Sequence, residues 1–238
     1  MARRTRYYML MASLPPLPAG FTRDQTPISR LRLNRRLGML EPEDQAELSR
    51  IERLMWWDRM PLGMTDDEIL DRAAEVIPRI RSATLREVAG WRLELRTVVA
   101  ALRRRALGQP APGPDERWGY GRWVRRIAGS WSLPDFGLGG VLPWVREFAR
   151  LLEAGDSLGF ERELLGVSWR TMSRAAEGHW FSFEAVALYV LRWDVIARWT
   201  GYDGRRAAAR FDGLVREGLG PHASLFAAGE VREEVRSA

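Results

Sequence analysis

The chain contains no cysteine and no lysine, and only two histidines, His179 and His222, among its 238 residues. Without cysteine it forms no disulfide, thiolate zinc site or iron–sulfur cluster, and it has no thiol nucleophile. All 37 basic residues are arginine. That excludes the P-loop lysine, Schiff-base chemistry and the lysine of protein kinases. The two histidines are too far apart for a histidine metal motif, and no serine sits in a Gly-x-Ser-x-Gly elbow. Long apolar runs are missing as well: Val186–Leu191 falls far short of the ~20 residues that span a bilayer. The N-terminal stretch Tyr7–Leu14 ends at Pro15-Pro16 without a small-residue cleavage site, so the expected location is the cytoplasm.

What is present is charge laid out in blocks. Residues 1–36 carry a net +7, residues 37–78 a net −7, residues 79–126 a net +8 and the remainder −2, for a total of +6. Adjacent blocks of opposite sign either pair within the fold or face outward and steer a partner. Pairing within the fold is the ordinary expectation.

Helical periodicity dominates the pattern. Ser29 caps a short helix to Leu37. Pro42, with acids beside it, opens another whose apolar positions Leu48, Ile51, Leu54 and Met55 lead to Trp56-Trp57. Thr65-Asp66-Asp67-Glu68 reads as a capping box, and so does Thr84-Leu85-Arg86-Glu87. The second opens a stripe of Leu85, Val88, Ala89, Leu95, Val98, Val99 and Leu102, interrupted only by Arg92, and Gly108 closes it. Further helices read over 122–127, 143–154, 156–176, 183–200 and 205–217. The 183–200 helix is apolar nearly all round, as expected at the centre of a bundle, with Asp194 and Arg198 spaced for an i,i+4 pair. Tyr7–Leu14 reads as a short extended segment. The fold class is therefore all-α, a multi-helix bundle in two lobes. An N-terminal lobe covers residues 1–107 and a C-terminal lobe residues 122–238, joined by a Gly/Pro-rich linker at 108–121.

Few segments carry chemistry. Gly137-Leu138-Gly139-Gly140 is the best candidate phosphate cradle, yet no strand precedes it, and a turn between helices is the commoner use of such glycines. Asp66, Asp67, Glu68, Asp71 and Glu75 offer carboxylates to a divalent ion, but a helix N-terminus selects the same residues for its dipole. His179 reads as a structural loop histidine. No catalytic residue, metal or cofactor is expected. The eleven tryptophans belong mostly to the core. The segment Trp118–Trp131 interleaves aromatics with cations in the manner of a single-stranded nucleic-acid surface. Arg103, Arg104, Arg105, Arg122, Arg125 and Arg126 are the candidate partner-binding residues, since arginine pairs bidentately with carboxylates. A nucleic-acid-binding module is the alternative use of the same block.

The segment Tyr7-Tyr8-Met9-Leu10-Met11-Ala12-Ser13-Leu14-Pro15-Pro16-Leu17 resembles a bacterial family whose members open with Tyr-Tyr-x-Leu-x-Ala-Ser-Leu-Pro. The similarity continues through Pro27-Ile28-Ser29, Leu40–Asp44, Trp91–Arg96, Leu151–Asp156 and Trp193–Trp199. That family is encoded in V-type ATPase operons and resembles a short form of the C-type subunit of V-type (A/V-type) ATPases. Ser13 stands where the C-type subunit has an arginine. The resemblance implies an all-helical, non-catalytic component that couples the central stalk to the membrane rotor ring or assists assembly. Its implied partners are stalk and ring subunits, and its implied place is the cytoplasmic side of the inner membrane.

Overall fold

A computed structural model describes residues 7–55 and 65–219, with side chains through residue 202. Trp56-Trp57 and the tail that carries His222 lie outside the described residues. Among those described there are nine α-helices and no strand: α1 (Tyr8–Ser13), α2 (Arg30–Leu37), α3 (Pro42–Met55), α4 (Asp66–Val76), α5 (Ala83–Ala106), α6 (Val124–Gly129), α7 (Trp144–Glu153), α8 (Ser157–Ala175) and α9 (Phe183–Leu219). The all-α reading holds.

Local signals place most helix ends. Ser29 accepts from the Arg32 N–H at 3.4 Å, and Thr65 and Glu68 form the expected capping box. Past the end of α5, Gly108 adopts φ +69°, donates to the Arg105 carbonyl at 2.8 Å, and lets Gln109 donate to Arg104 at 3.1 Å. That is a Schellman closure, which needs the left-handed conformation glycine adopts without strain.

Three local expectations are corrected. Tyr7–Leu14 is not extended: Tyr8–Ser13 is helical. Tyr7, Leu10 and Leu14 are buried, an i, i+3, i+7 spacing that belongs to a helix face. The cap of α5 is Ser82, which accepts from Leu85 N–H at 3.4 Å, whereas the Thr84 hydroxyl lies 3.3 Å from His179 Nε2. The helix expected to stop near Thr200 runs on unbroken to Leu219, and Gly201 sits inside it. Glycine costs a helix only about 1 kcal/mol, and no proline intervenes.

Two apolar clusters form the core. The first gathers α1 to α4, the start of α5 through Leu93, the end of α8 and the buried face of α9 from Val186 to Ile196. The second gathers α5 from Leu95 onward with Trp118, Ile127, Phe136, Leu138, α7 and the start of α8. The clusters therefore meet along α5 and α8, which run through both, and not at residues 108–121. That stretch is laid back onto α5. Trp118 is buried, Tyr120 N–H donates to Thr97 Oγ1 at 2.8 Å, and Arg104 pairs with Glu116. A Cβ at Gly119 would stand 2.5 Å from Thr97 Cγ2, so only glycine permits this approach. As expected of a central helix, α9 is buried at every position from Ala185 to Leu191.

Helix α1 is fastened at both ends. Tyr7 N–H donates to the Phe181 carbonyl at 2.8 Å, and the Tyr189 hydroxyl donates to the Pro15 carbonyl at 2.8 Å. Burial pushes the Tyr189 phenol up to about 12. The raised value means the folded state favours the protonated form, so this contribution is intact below pH ~10 and is lost as pH rises towards 12. A Tyr189→Phe variant is expected to lose stability less steeply than the parent between those pH values in chemical denaturation. A Ser82→Ala variant is expected to lose about 1 kcal/mol and Thr84→Ala clearly less, read from urea midpoints.

Candidate functional site

Charged residues that the sequence keeps apart meet at three points between helices. Each point is an arginine facing buried carboxylates. At the first, Arg81, just before α5, pairs with Asp44 and Glu47 and lies 3.5 Å from Glu43, all on α3. Its backbone N–H also donates to Glu47 at 3.1 Å. Asp44 accepts in addition from the Tyr7 hydroxyl, whose oxygen in turn accepts from Glu41 N–H at 3.3 Å. The hydrogen bond to Glu47 holds the Arg81 guanidinium above its ordinary value. At the second point, Arg30 on α2 reaches Glu52 on α3 at 2.9 Å and Asp194 on α9 at 3.2 Å, and lies over the Trp193 ring at 5.6 Å. At the third, Arg198 on α9 pairs with Glu161 on α8. The partners seen for Asp194 and Arg198 thus come from other helices, although the two residues sit four apart on α9.

A cleft of about 130 Å³ opens beside the first of these points, lined by Tyr7, Asp44, Glu47, Arg81, Phe183 and Glu184. Burial pushes the Glu184 carboxyl up. Hydrogen bonds from Ser182, its own backbone and Ser82, with the charge of His179, outweigh that and hold it below the usual carboxylate range. Among the described residues, the cleft lining sets its carboxylates around a single guanidinium.

The oppositely charged blocks pair within the fold. Arg96 meets Asp66 at 2.8 Å, Arg117 meets Asp71 at 2.7 Å and Asp67 at 3.5 Å, and Arg79 meets Glu75 at 2.6 Å. Glu68 serves the capping box. The acidic set of α4 is thus committed to arginines and to its own helix end. Among the described residues no group of three or more His, Asp or Glu is placed to hold a metal ion. The glycine loop is likewise filled from within. The Asp135 carboxylate accepts from Gly137 N–H at 2.9 Å and from Arg146 Nε at 2.9 Å, with Gly139 N–H a further donor. The donors a phosphate would need there are already taken.

Five of the six candidate arginines are engaged internally. Arg104 holds Glu116 and donates to the Pro110 carbonyl at 2.9 Å, and Arg105 donates to the Leu133 carbonyl at 2.6 Å. Arg126 donates to the Gly137 carbonyl, Arg122 stacks 4.9 Å over Trp123 and faces Glu94 at 3.4 Å, and Arg103 lies 5.4 Å over Phe160. Arg125 is exposed. Arg105 and Arg126 thus both reach the turn at 133–137. Trp118 is buried and Trp131 packs 5.2 Å from Phe136, so the tryptophans of that segment serve the second cluster, while Tyr120 packs against the first.

Arg30 and Arg81, which organise the buried charge, are not among the candidates read from the sequence. Their signal was the alternation of charge blocks, which predicts that arginines pair without saying which ones. The chain matches no protein-family model, no curated protein and no solved structure. Among the described residues no helix is long and apolar enough to cross a membrane.

Replacing Arg81 by Met leaves Asp44 and Glu47 facing each other without their cation. Because the arginine is half exposed, the expected loss is about 2 kcal/mol, below the range for a fully buried pair. Arg79→Met, which breaks an exposed pair, is expected to cost under ~0.5 kcal/mol. Equal losses in guanidinium titration would overturn this ranking.

Proposed function

We propose that this chain is a non-catalytic component of a V-type ion-translocating ATPase, similar to its C-type subunit and placed between the central stalk and the rotor ring. One observation carries the reading: segments on which the family resemblance rests are distant in sequence but come together in space. Tyr7 of the opening segment bonds Asp44 of the Leu40–Asp44 segment. The indole N–H of Trp193 donates to the Ile28 carbonyl at 2.8 Å, joining the Trp193–Trp199 segment to Pro27-Ile28-Ser29. These residues act as framework, which is the role expected of motif residues in a family without catalytic ones. The continuous 37-residue α9, about 55 Å long, suits a part that passes force between neighbours.

The test is purification of a tagged chain from its source cells in gentle detergent. Catalytic, stalk and ring subunits of a V-type ATPase in near-equal amounts are the expected result, and substoichiometric recovery assigns an assembly role. Recovery of nucleic acid, with affinity falling steeply as salt rises, or of no ATPase subunit, overturns the proposal.

A further inference from the structure

Three large apolar side chains stand in solvent where α1 crosses the α8–α9 connection: Tyr8 at 56% exposure, Met9 at 74% and Trp180 at 73%. The chain segments that carry them are joined at Phe181. The Tyr8 ring packs 4.7 Å from Phe181, which follows Trp180, and Tyr7 N–H bonds the Phe181 carbonyl. An exposed tryptophan flanked by a tyrosine and a methionine is the composition of a protein-interface anchor.

The same crossing runs directly into the polar cleft. Tyr7 precedes Tyr8, and Phe183 and Glu184 follow Trp180 by a few residues; all three line the cleft. There Asp44, Glu47 and Glu184, with Glu43 at the rim, face Arg81, the one arginine among the described lining residues. Among the described residues, four carboxylates face one guanidinium, so this lining carries a net negative charge. That charge repels anionic lipid and nucleic acid and attracts a cation. A volume of about 130 Å³ is below that of pockets that enclose small molecules, which start near 300 Å³. It suits the head of one side chain.

We infer that this face docks a segment of a partner protein in which an apolar side chain and an arginine or lysine lie within one helical turn. The apolar group rests on Tyr8, Met9 and Trp180, and the cation enters the mouth of the cleft against Glu43 and Glu184. Charge complementarity selects this occupant over a membrane surface. The inference stands apart from the ATPase reading, because it defines the partner by its chemistry.

The test places the photo-crosslinker p-benzoylphenylalanine at position 9 of the full chain in its source cells, with the same group at exposed Leu107 as the control. The expected result is an adduct with one protein at position 9 and not at 107. Its attached peptide carries Arg or Lys within about four residues of the attachment point, the span of one helical turn. Its yield is expected to fall roughly tenfold with Trp180→Ala and with Glu43→Arg, each a change on an exposed side chain of an anchor or a charge pair. No adduct, an adduct with lipid or nucleic acid, an acidic attached peptide, or yields unchanged by both variants overturns the docking surface. An adduct of the stated chemistry with a protein outside the ATPase supports the surface and counts against the ATPase reading. ATPase co-purification without an adduct at position 9 does the reverse.

Discussion

Burying a carboxylate is costly unless a cation and hydrogen bonds meet it, and among the described residues five are buried: Asp44, Glu47, Glu52, Glu161 and Asp194. Each is met by an arginine from another part of the chain: Arg81 for the first two, Arg30 for Glu52 and Asp194, Arg198 for Glu161. An apolar helix face can slide or rotate against its neighbour at modest cost. A buried carboxylate displaced from its arginine cannot. The three arginines therefore hold α2, α3, α5, α8 and α9 in one mutual arrangement, and the positions of the smaller elements follow from it.

The apolar clusters depend on that arrangement. Helices α5 and α8 each contribute to both clusters, and the Gly/Pro-rich stretch between α5 and α6 is strapped to α5. Internal cations satisfy internal anions: the glycine loop is occupied by Asp135, and the acids of α4 by Arg96, Arg117 and Arg79. Among the described residues, the glycine loop and the acidic set of α4 are thus engaged within the fold.

How far the sequence reached depended on the range of the interaction. Helix existence, the capping box at Thr65, the Schellman closure at Gly108 and the central character of the 183–200 helix were legible, because each rests on neighbours within a few residues. The errors also have local causes. Thr84-x-x-Glu87 has the capping-box pattern, but Ser82 lies two residues earlier and takes the cap. Tyr7–Leu14 is rich in residues that suit strands, and its buried positions betray helical spacing only once Tyr7, Leu10 and Leu14 are known to be the buried ones. Arginine density marks Arg103-Arg104-Arg105, whereas the isolated Arg30 and Arg81 face the buried acids.

Residue order alone dictates an all-helical chain, the place of most helices, the chemistries forbidden by missing cysteine and lysine, and the complementarity of the opposite charge blocks. Packing in three dimensions chose which arginine meets which carboxylate, made the two clusters share α5 and α8, and left Tyr8, Met9 and Trp180 exposed. The division has one physical cause. Capping and periodicity act over a single helical turn, while the pairing of Arg30 with Asp194 spans 164 positions and exists only once the helices between them have packed.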